Sequence, residues 1–358
     1  MKKYYILIIM GLTALTVLSQ NVNIPDANFK AALVGDSNIN TNSDSEIQVS
    51  EAAAFTGTID VMSQSISNYT GIEAFINITG FDGRFNDVSS IDVSALTKLV
   101  TLNLGANTIL TSLDVSTNVL LETLSLSECF ALTTLTFGNN TALKVLSVRE
   151  AGLNSLSLST LIALEDLDAN SVGVSNSTPL TTLDFSNNTN LKEVVVRHSN
   201  VTILDFSNNA KLTFVEVDFN SMMTSLNIKN GANTILTTLI ATNNTNLGSV
   251  CVDDVNYAQN QAGWNANGTY TTSCTLSVKD HDFESQVVLY PNPVKNQLNL
   301  QLSAHTSIKS MTIFSSTGKR IAITKNNMTD VRSLASGLYF LHIKSDLGEI
   351  AIKKFIKE

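Results

Sequence analysis

Residues 99–107 read LVTLNLGAN, and the phrase returns as LTSLDVSTN at 110–118, LETLSLSEC at 121–129 and LTTLTFGNN at 132–140. The shared pattern is L-x-x-L-x-[LVF]-x-x-N. Its central apolar residue, called the anchor below, recurs mostly every 10 or 11 residues, at Phe81, Ile91, Leu102, Leu113, Leu124, Leu135, Leu146, Leu156, Leu167, Leu183, Val194, Leu204, Val215, Leu226, Leu239 and Val250. Such a repeat predicts a stack of similar units that share one continuous core.

The anchor spacing predicts a mainly β solenoid. One coil of a leucine-rich repeat takes about 20 to 29 residues, so two phrases make one coil. Alternate anchors then form two rows. The first row is Phe81, Leu102, Leu124, Leu146, Leu167, Val194, Val215 and Leu239, and the second row holds the anchors between them. Within a row the spacing is usually 21 or 22 residues, which gives about eight coils of two extended runs each over 81–250. Side chains alternate along a strand, so the anchors point inward and stack.

An asparagine follows many anchors by five residues, at Asn107, Asn118, Asn140, Asn188, Asn209, Asn220 and Asn244. Its amide both donates and accepts, so at a tight corner it satisfies backbone groups that lack a ladder partner. Cys129 occupies the same slot. We therefore interpret Cys129 as a buried thiol rather than a nucleophile or a metal ligand. The phrases resemble the short leucine-rich repeats of the internalin-like bacterial family over about half of the chain.

The N-terminal part predicts an export signal and a cap. Residues 1–19 combine two lysines with an apolar run and a cleavage site after Ser19, as in a signal peptide. That run is too short to anchor the chain in a bilayer, and we expect no transmembrane segment in the mature protein. Residues 20–80 are more polar and less periodic. We interpret them as the N-terminal cap that an open solenoid end requires, with a short helix at 26–33 and an irregular first coil at 59–75.

The predicted cap contains a candidate calcium loop. Counted from Asn40 as position 1, its candidate ligands are Asn40, Asn42, Asp44, Glu46 and Glu51. Oxygen ligands at this spacing, closed by a bidentate carboxylate, are those that Ca²⁺ requires. The loop departs from the pattern by Asn at position 1 and by Ser45 at the turn-making position 6. The alternative is a polar turn that leads into a helix near Ser50.

The two rows differ on their outward sides. The second row repeats Asp and Ser, at Asp92, Ser94, Asp114, Ser116, Asp184, Ser186, Asp205 and Ser207, and we interpret it as a structural face. The first row is chemically diverse, and its candidate ligand-binding residues are Arg149, Glu150, Asp168, Asn170, Arg197, His198, Glu216, Asp218 and Phe219. We call these nine residues the recognition patch, because solenoids bind partners on an extended surface. The alternative is a solvated face in which pairs such as Arg197 and Asp218 form a cross-strand ladder.

The repeats end before a predicted C-terminal cap at 251–275. Cys251 and Cys274 are expected to close a disulfide there, since disulfides persist in an oxidising exported environment. Trp264 is expected to cover the last leucines. Residues 276–286 are interpreted as a linker. Residues 20–286 carry a net charge of −17, whereas 287–358 carry +6, and this change indicates a separate domain.

The last domain, 287–358, has alternating apolar runs separated by Gly and Pro turns, which predicts a small antiparallel β-sandwich. Its motifs resemble the C-terminal sorting domain of type IX secretion cargo, on Tyr290, Pro291, Asn292, Pro293, Gly318, Gly337, Lys353 and Lys354. That resemblance implies the type IX secretion machinery as a partner and places the protein outside a didermic bacterium. It also implies that the domain is removed within the linker, leaving the remainder released or attached to surface polysaccharide.

The sequence argues against catalysis and nucleic-acid binding. It contains no G-x-S-x-G, H-E-x-x-H, phosphate loop or Cys-x-x-Cys. Adjacent acids such as Glu165 and Asp166 point to opposite sides of a strand and are not the facing pair of a glycosidase. A body near −17 repels phosphates. We therefore expect a surface or secreted adhesion and recognition module for a protein or glycan partner. The alternative is a structural surface or matrix component without a specific ligand.

Overall fold

The computed structural model describes residues 20–171, 180–274, 287–302, 308–315, 319–324, 328–345 and 350–358. The predicted signal peptide, the linker at 276–286 and Gly318 lie outside these ranges. The chain divides into two compact units at Cys274 and Thr275, and each is described by itself.

The first unit is a β-solenoid. Its strands are β1 (Thr58–Asp60), β2 (Gly80–Asp82), β3 (Thr101–Asn103), β4 (Ser112–Asp114), β5 (Thr123–Ser125), β6 (Thr134–Thr136), β7 (Val145–Ser147), β8 (Asp166–Asp168), β9 (Glu193–Val195), β10 (Ile203–Asp205), β11 (Phe214–Glu216), β12 (Ser225–Asn227), β13 (Thr238–Ala241), β14 (Ser249–Cys251), β15 (Trp264–Ala266) and β16 (Thr269–Thr271). Three helices, α1 (Ala27–Gly35), α2 (Val49–Ala54) and α3 (Val255–Gln259), and two 3₁₀ turns, Ile72–Ala74 and Asn233–Ile235, complete it.

The predicted first row is confirmed as one parallel sheet. Strands β1, β2, β3, β5, β7, β8, β9, β11, β13 and β15 pair in that order. The anchors are in register, with Phe81 opposite Leu102, Leu102 opposite Leu124, and Leu167 opposite Val194. The ladder is longer than the repeat phrase, because Ile59 pairs with Phe81 at one end and Trp264 with Leu239 at the other.

The second row is a broken ladder. β4 pairs with β6, and β10, β12, β14 and β16 pair in that order. At Ile91, Leu156 and Leu183 the described backbone forms no strand, although Leu156 and Leu183 are buried. A three-residue strand depends on very few ladder hydrogen bonds, so a small shift of the backbone removes it while the apolar side chain still points inward.

One continuous apolar core fills the solenoid. Anchors such as Leu124, Leu146 and Leu167 have no exposed surface, and they belong to a single cluster that runs from Val22 to Trp264. Each fully buried leucine contributes about 1.5–3 kcal/mol relative to an exposed one. Trp264 is 8% exposed, pairs with Leu239 and donates from Nε1 to the Leu236 carbonyl at 2.9 Å, as expected of a residue that covers the last leucines.

The second unit is an antiparallel sandwich, as expected. β17 (Val287–Tyr290), β18 (Gln297–Leu302) and β21 (Met328–Asp330) form one sheet. β19 (Ile308–Ser315), β20 (Arg320–Thr324), β22 (Gly337–Ser345) and β23 (Ile350–Lys357) form the other, in the order β20, β19, β22, β23. The core between them includes Leu298, Ile313, Leu341 and Phe355.

Candidate recognition surface

The recognition patch lies along the C-terminal ends of neighbouring first-row strands. Asp168 and Glu216 are the last residues of β8 and β11. Arg149, Asn170, Arg197 and Asp218 each lie two residues beyond the end of their strand, and Glu150, His198 and Phe219 lie three residues beyond it. Because the strands are parallel and in register, these positions form columns across four neighbouring coils.

A column of left-handed residues orients the end of the patch. Its members are Phe85, Ala106, Glu128, Glu150, His198, Phe219 and Asn243, all with φ between 52° and 62°. This conformation is uncommon for residues other than glycine. It is held by hydrogen bonds to the next coil, such as the one from the Glu150 N–H to the Asn170 carbonyl at 2.6 Å. This column was not predictable from the sequence, because its members share no residue type.

Arg197 joins two carboxylates of the next coil. Its Nε donates to Asp218 Oδ1 at 2.5 Å, and its Nη1 lies 3.3 Å from Glu216 Oε1. The Asp218 side chain is 6% exposed and that of Arg197 is 27% exposed. The ladder pairing that we considered as an alternative is therefore present in this part of the patch.

Two aromatic rings stack beside this ion pair. The rings of His198 and Phe219 are 4.6 Å apart with an interplanar angle of 8°. The guanidinium carbon of Arg197 lies 5.7 Å from the centroid of Phe219, within the range of a cation–π contact. Phe219 remains 42% exposed. This corner therefore offers an apolar surface held in place by charged neighbours.

Asp168 lies among the charges of the neighbouring coils. Burial raises the pKa of its carboxyl, and Glu150 acts in the same direction. The hydrogen bond from the Asn170 N–H and the charges of Arg149 and Arg197 lower that pKa, but the raising influences dominate. Arg149 pairs with Glu150 at 3.3 Å, and its side chain is half exposed. The structure thus brings the predicted patch residues into one connected surface.

The sequence interpretation missed a charged column beside the patch. Two residues before successive anchors come Glu122, Lys144, Glu165 and Lys192, with alternating sign. Lys144 Nζ lies 2.8 Å from Glu122 Oε2, and Lys192 Nζ lies 2.5 Å from Glu165 Oε2. Lys144 also lowers the pKa of Glu165, after the hydrogen bond from Lys192, which is the largest influence. The regular spacing and alternating sign would have identified this column from the sequence.

The second row satisfies its own polar groups. Each Asp of the Asp-x-Ser units described here accepts from the backbone N–H of its Ser, as in Asp114 with Ser116 at 2.8 Å and Asp205 with Ser207 at 2.9 Å. Asparagines at the corners donate to backbone carbonyls of the preceding coil, as Asn209 does to Phe185 and Asn188. Cys129 donates to the Leu104 carbonyl at 3.3 Å from the equivalent corner of the first row.

The candidate calcium loop is closed by hydrogen bonds within the protein. Glu51 Oε1 accepts from the N–H groups of Thr41 and Asn42, and Oε2 accepts from that of Gln48. Asp44 Oδ1 accepts from the Glu46 N–H at 2.7 Å, whereas Asn40 Oδ1 is buried and accepts no hydrogen bond from the described residues.

Glu46 pairs with Lys30 at 2.5 Å. The loop residues thus provide one free buried oxygen, on Asn40, and three carboxylates that already have partners. Among the described residues no three His, Cys, Asp or Glu side chains form a metal-binding group. A calcium loop also draws oxygens from amides and backbone carbonyls, so calcium binding through Asn40, Asn42, Asp44, Glu46 and Glu51 stays a prediction.

The Cys251–Cys274 disulfide is present, with the two Cα atoms 5.4 Å apart. It ties the end of β14 to the last residues of the first unit. In the second unit, Asn292 of the Tyr290–Pro293 motif contacts β23: its Nδ2 donates to the Lys354 carbonyl at 3.2 Å, and its Oδ1 accepts from the Ile356 N–H at 2.9 Å. Lys353 and Lys354 lie on β23, and Gly337 begins β22. The motif and the basic tail therefore form one local structure.

Fold and surface together define a leucine-rich β-solenoid followed by a separate β-sandwich. Residues 288–358 match the family model of the secretion system C-terminal sorting domain, which confirms the predicted type IX sorting domain. The chain is accordingly an exported protein, secreted or displayed at the cell surface. None of the helices that the structure describes has the length and apolarity needed to cross a bilayer.

The solved structures similar to this chain include three listerial internalins. Internalin C2 of Listeria monocytogenes is 17% identical with a TM-score of 0.40, over 70% of this chain and 97% of that one. The functional domain of InlJ from Listeria monocytogenes is 17% identical with a TM-score of 0.28, over 95% of this chain and 98% of that one. InlP of Listeria monocytogenes is 15% identical with a TM-score of 0.32, over 94% of this chain and 99% of that one. With TM-scores below 0.5 these likenesses carry no argument about a ligand. No curated protein matches the chain.

Proposed function

We propose that this exported protein binds a protein or glycan partner through the recognition patch and has no catalytic activity. The single observation that carries the proposal is the corner formed by Arg197, Asp218, His198 and Phe219. Here an ion pair, a ring stack and a cation–π contact fix charged and aromatic groups together at the surface. Groups held in place before binding lose little conformational entropy when a partner arrives.

Two side chains of the patch have surface available for a partner. Arg149 is half exposed, and among the described residues its ion pair is with its neighbour Glu150; Phe219 is 42% exposed. Arginine and aromatic residues are frequent among the side chains that dominate binding energy at interfaces. The second row presents Asp and Ser groups that are hydrogen-bonded within their own coils, which supports assigning recognition to the first row.

The proposal of a non-catalytic role is supported by how the acidic and imidazole groups are placed. Glu165 pairs with Lys192, whereas the neighbouring Asp166 belongs to a different column and has its pKa raised by burial and by Glu193. The two carboxyl groups therefore do not face a common substrate. The imidazole of His198 stacks on Phe219.

The alternative is a structural component of a surface layer or matrix. It is favoured by the internal pairing of Glu122 with Lys144, Glu165 with Lys192 and Arg197 with Asp218, which satisfies these charges without a partner. In that case the charged columns only join neighbouring coils of the solenoid.

Probing glycan and protein arrays with the full chain separates the two functions. We expect binding to a restricted set of probes that is weakened when Arg149→Ala and Phe219→Ala are combined. The matched control combines Lys229→Ala and Ile235→Ala. Lys229 is an exposed cation that follows β12, and Ile235 is an exposed apolar residue in the 3₁₀ turn between β12 and β13, so both lie outside the recognition patch. Absence of binding to any probe, or equal losses in both double variants, would support the structural alternative.

A further inference from the structure

The four-stranded sheet of the sorting domain has an unusual outward side. Its inward residues, such as Met311, Ile313, Leu341 and Ile343, are buried in the sandwich core. In an antiparallel sheet with one buried face, the alternate residues that face solvent are normally polar. Here they include Leu338, Phe340, Ile352 and Ile356, which are between 37% and 52% exposed.

The strand register gathers these side chains into one surface. Leu338 is opposite Ile356, and Phe340 lies between Phe314 on β19 and Lys354 on β23. Arg320 on β20 is opposite Phe314. A row of Arg320, Phe314, Phe340 and Lys354 therefore crosses the whole sheet. We call this surface the outer face; its members are Phe314, Arg320, Leu338, Phe340, Lys344, Ile352, Lys354 and Ile356.

The described charged residues at the borders of the outer face are positive. Arg320, Lys344 and Lys354 are exposed, and no ion pair joins them to a carboxylate among the described residues. Asp330 and Glu358, the described carboxylates of this unit, lie against their own cations, Arg332 at 2.6 Å and Lys295 at 3.5 Å. Within the described strands, the face thus combines an apolar centre with border cations that pair with no described carboxylate.

Lysines on an exposed edge strand also prevent sheets from pairing edge to edge. That role accounts for Lys354 on the edge strand β23. It does not account for Phe340 and Leu338, which lie on the inner strand β22, because a protective surface gains nothing from exposed apolar side chains.

We propose that the outer face is a docking surface for a protein of the export machinery that presents an apolar floor bordered by carboxylates. Four strands about 4.8 Å apart and about five residues long offer on the order of 300 Å². A stable complex buries roughly 800 Å² on each partner, which is more than this face offers. The area therefore fits a transient contact, as expected for a protein that is released after export. This docking is independent of any ligand of the solenoid.

Export of the full chain from the producing cell tests the proposal. One face variant combines Phe340→Ser and Ile352→Ser, and a second combines Arg320→Glu and Lys354→Glu. The matched controls combine Val288→Ser with Met328→Ser, both exposed on the other sheet, and Lys295→Glu with Arg332→Glu, whose side chains are 77% and 71% exposed. We expect at least a tenfold fall in the exported fraction for both face variants, with the chain retained in the periplasm, and normal export of both controls.

Normal export of the face variants would overturn the proposal, as would an equal loss in the controls. Thermal melts of the purified full chains show whether the face variants remain folded. If they do not, a photo-reactive phenylalanine analogue in place of Ile352 gives the second test, with position 328 as the control. An adduct formed at position 352 alone with a protein of the export machinery, identified by mass spectrometry, supports docking. Absence of that adduct overturns it.

A lipid surface is the competing occupant of an apolar face with a cationic border. Vesicles with and without an anionic phospholipid, sedimented with the full chain, distinguish it from a protein. Binding to anionic vesicles that both face variants lose would overturn the protein-docking proposal. No binding to either vesicle, together with the adduct at position 352, would support it.

Discussion

Arg197 and Asp218, each two residues beyond the end of its strand, are joined by hydrogen bonds from Nε to Oδ1 at 2.5 Å and from Nη2 to Oδ2 at 3.3 Å. The pair connects neighbouring coils and holds the guanidinium beside Phe219. It therefore contributes both to the stability of the stack and to the shape of the recognition patch.

Asp218→Ala is expected to lower the free energy of unfolding by about 1–3 kcal/mol, because it leaves the partly buried guanidinium with Glu216 alone. The control is Lys144→Ala, which removes the exposed pair with Glu122. Exposed pairs contribute little, so its urea midpoint should change much less. Equal shifts in the two variants would show that the Arg197–Asp218 pair is no more than a solvated ladder contact.

Asn209→Asp is expected to destabilise the solenoid by about 3 kcal/mol or more. The amide donates to two buried carbonyls, and the substitution would bury a charge and remove both donors. Asn208→Asp, on the exposed adjacent residue, is the control and should be nearly neutral. Urea unfolding followed by circular dichroism measures both. A neutral Asn209→Asp would show that the corner amides are dispensable.

Cys129 is expected to resist alkylation in the folded protein. Its thiol is buried, and burial raises its pKa to about 11, so little of the reactive thiolate is present at pH 8. Iodoacetamide should label it only after unfolding, as measured by mass spectrometry. Rapid labelling of Cys129 in the native chain would contradict its assignment to the corner position.

The capping carboxylate of Glu51 is expected to make the stability of the N-terminal region depend on pH. Burial, the largest single influence, raises its pKa, but hydrogen bonds from Gln48, Thr41 and Asn42 together lower it below 4.5. The charged form therefore stabilises the fold above about pH 4.5, and this contribution is lost as the pH falls through the lower folded-state pKa.

The difference in stability between the natural chain and Glu51→Gln should accordingly shrink between about pH 6 and about pH 3. A difference that does not vary with pH would contradict the role of the charge.

Thermal melts with calcium chloride and with a chelator test the prediction that the loop of Asn40 to Glu51 binds calcium. Calcium binding requires a higher midpoint for the natural chain and no change for Asp44→Ala.

The repeat allowed the first row to be predicted residue by residue, because inward leucines at a fixed spacing leave one possible register. The ends were harder to predict. Ile59 and Trp264 extend the ladder without the leucine phrase, since an end coil packs against the core on one side only. The second row was predicted as regular, but its short strands are absent at Ile91, Leu156 and Leu183.

The candidate surface was predictable in its position and not in its contacts. The register of the repeats determines which residues form a column, so the pairing of Arg197 with Asp218 could be predicted from the sequence. The ring stack of His198 and Phe219 depends on a left-handed backbone that has no residue signature. The outer face of the sorting domain was missed because alternation alone does not show which of two apolar faces is buried.

The central claim is that the chain binds a partner through the recognition patch. Its most direct test is the affinity for a partner identified on the arrays, measured for the natural chain and for each of the two double variants. We predict that combining Arg149→Ala with Phe219→Ala raises Kd by about 30-fold or more, the equivalent of about 2 kcal/mol, whereas combining Lys229→Ala with Ile235→Ala leaves it unchanged. An unchanged Kd for the first double variant would contradict recognition through the first row.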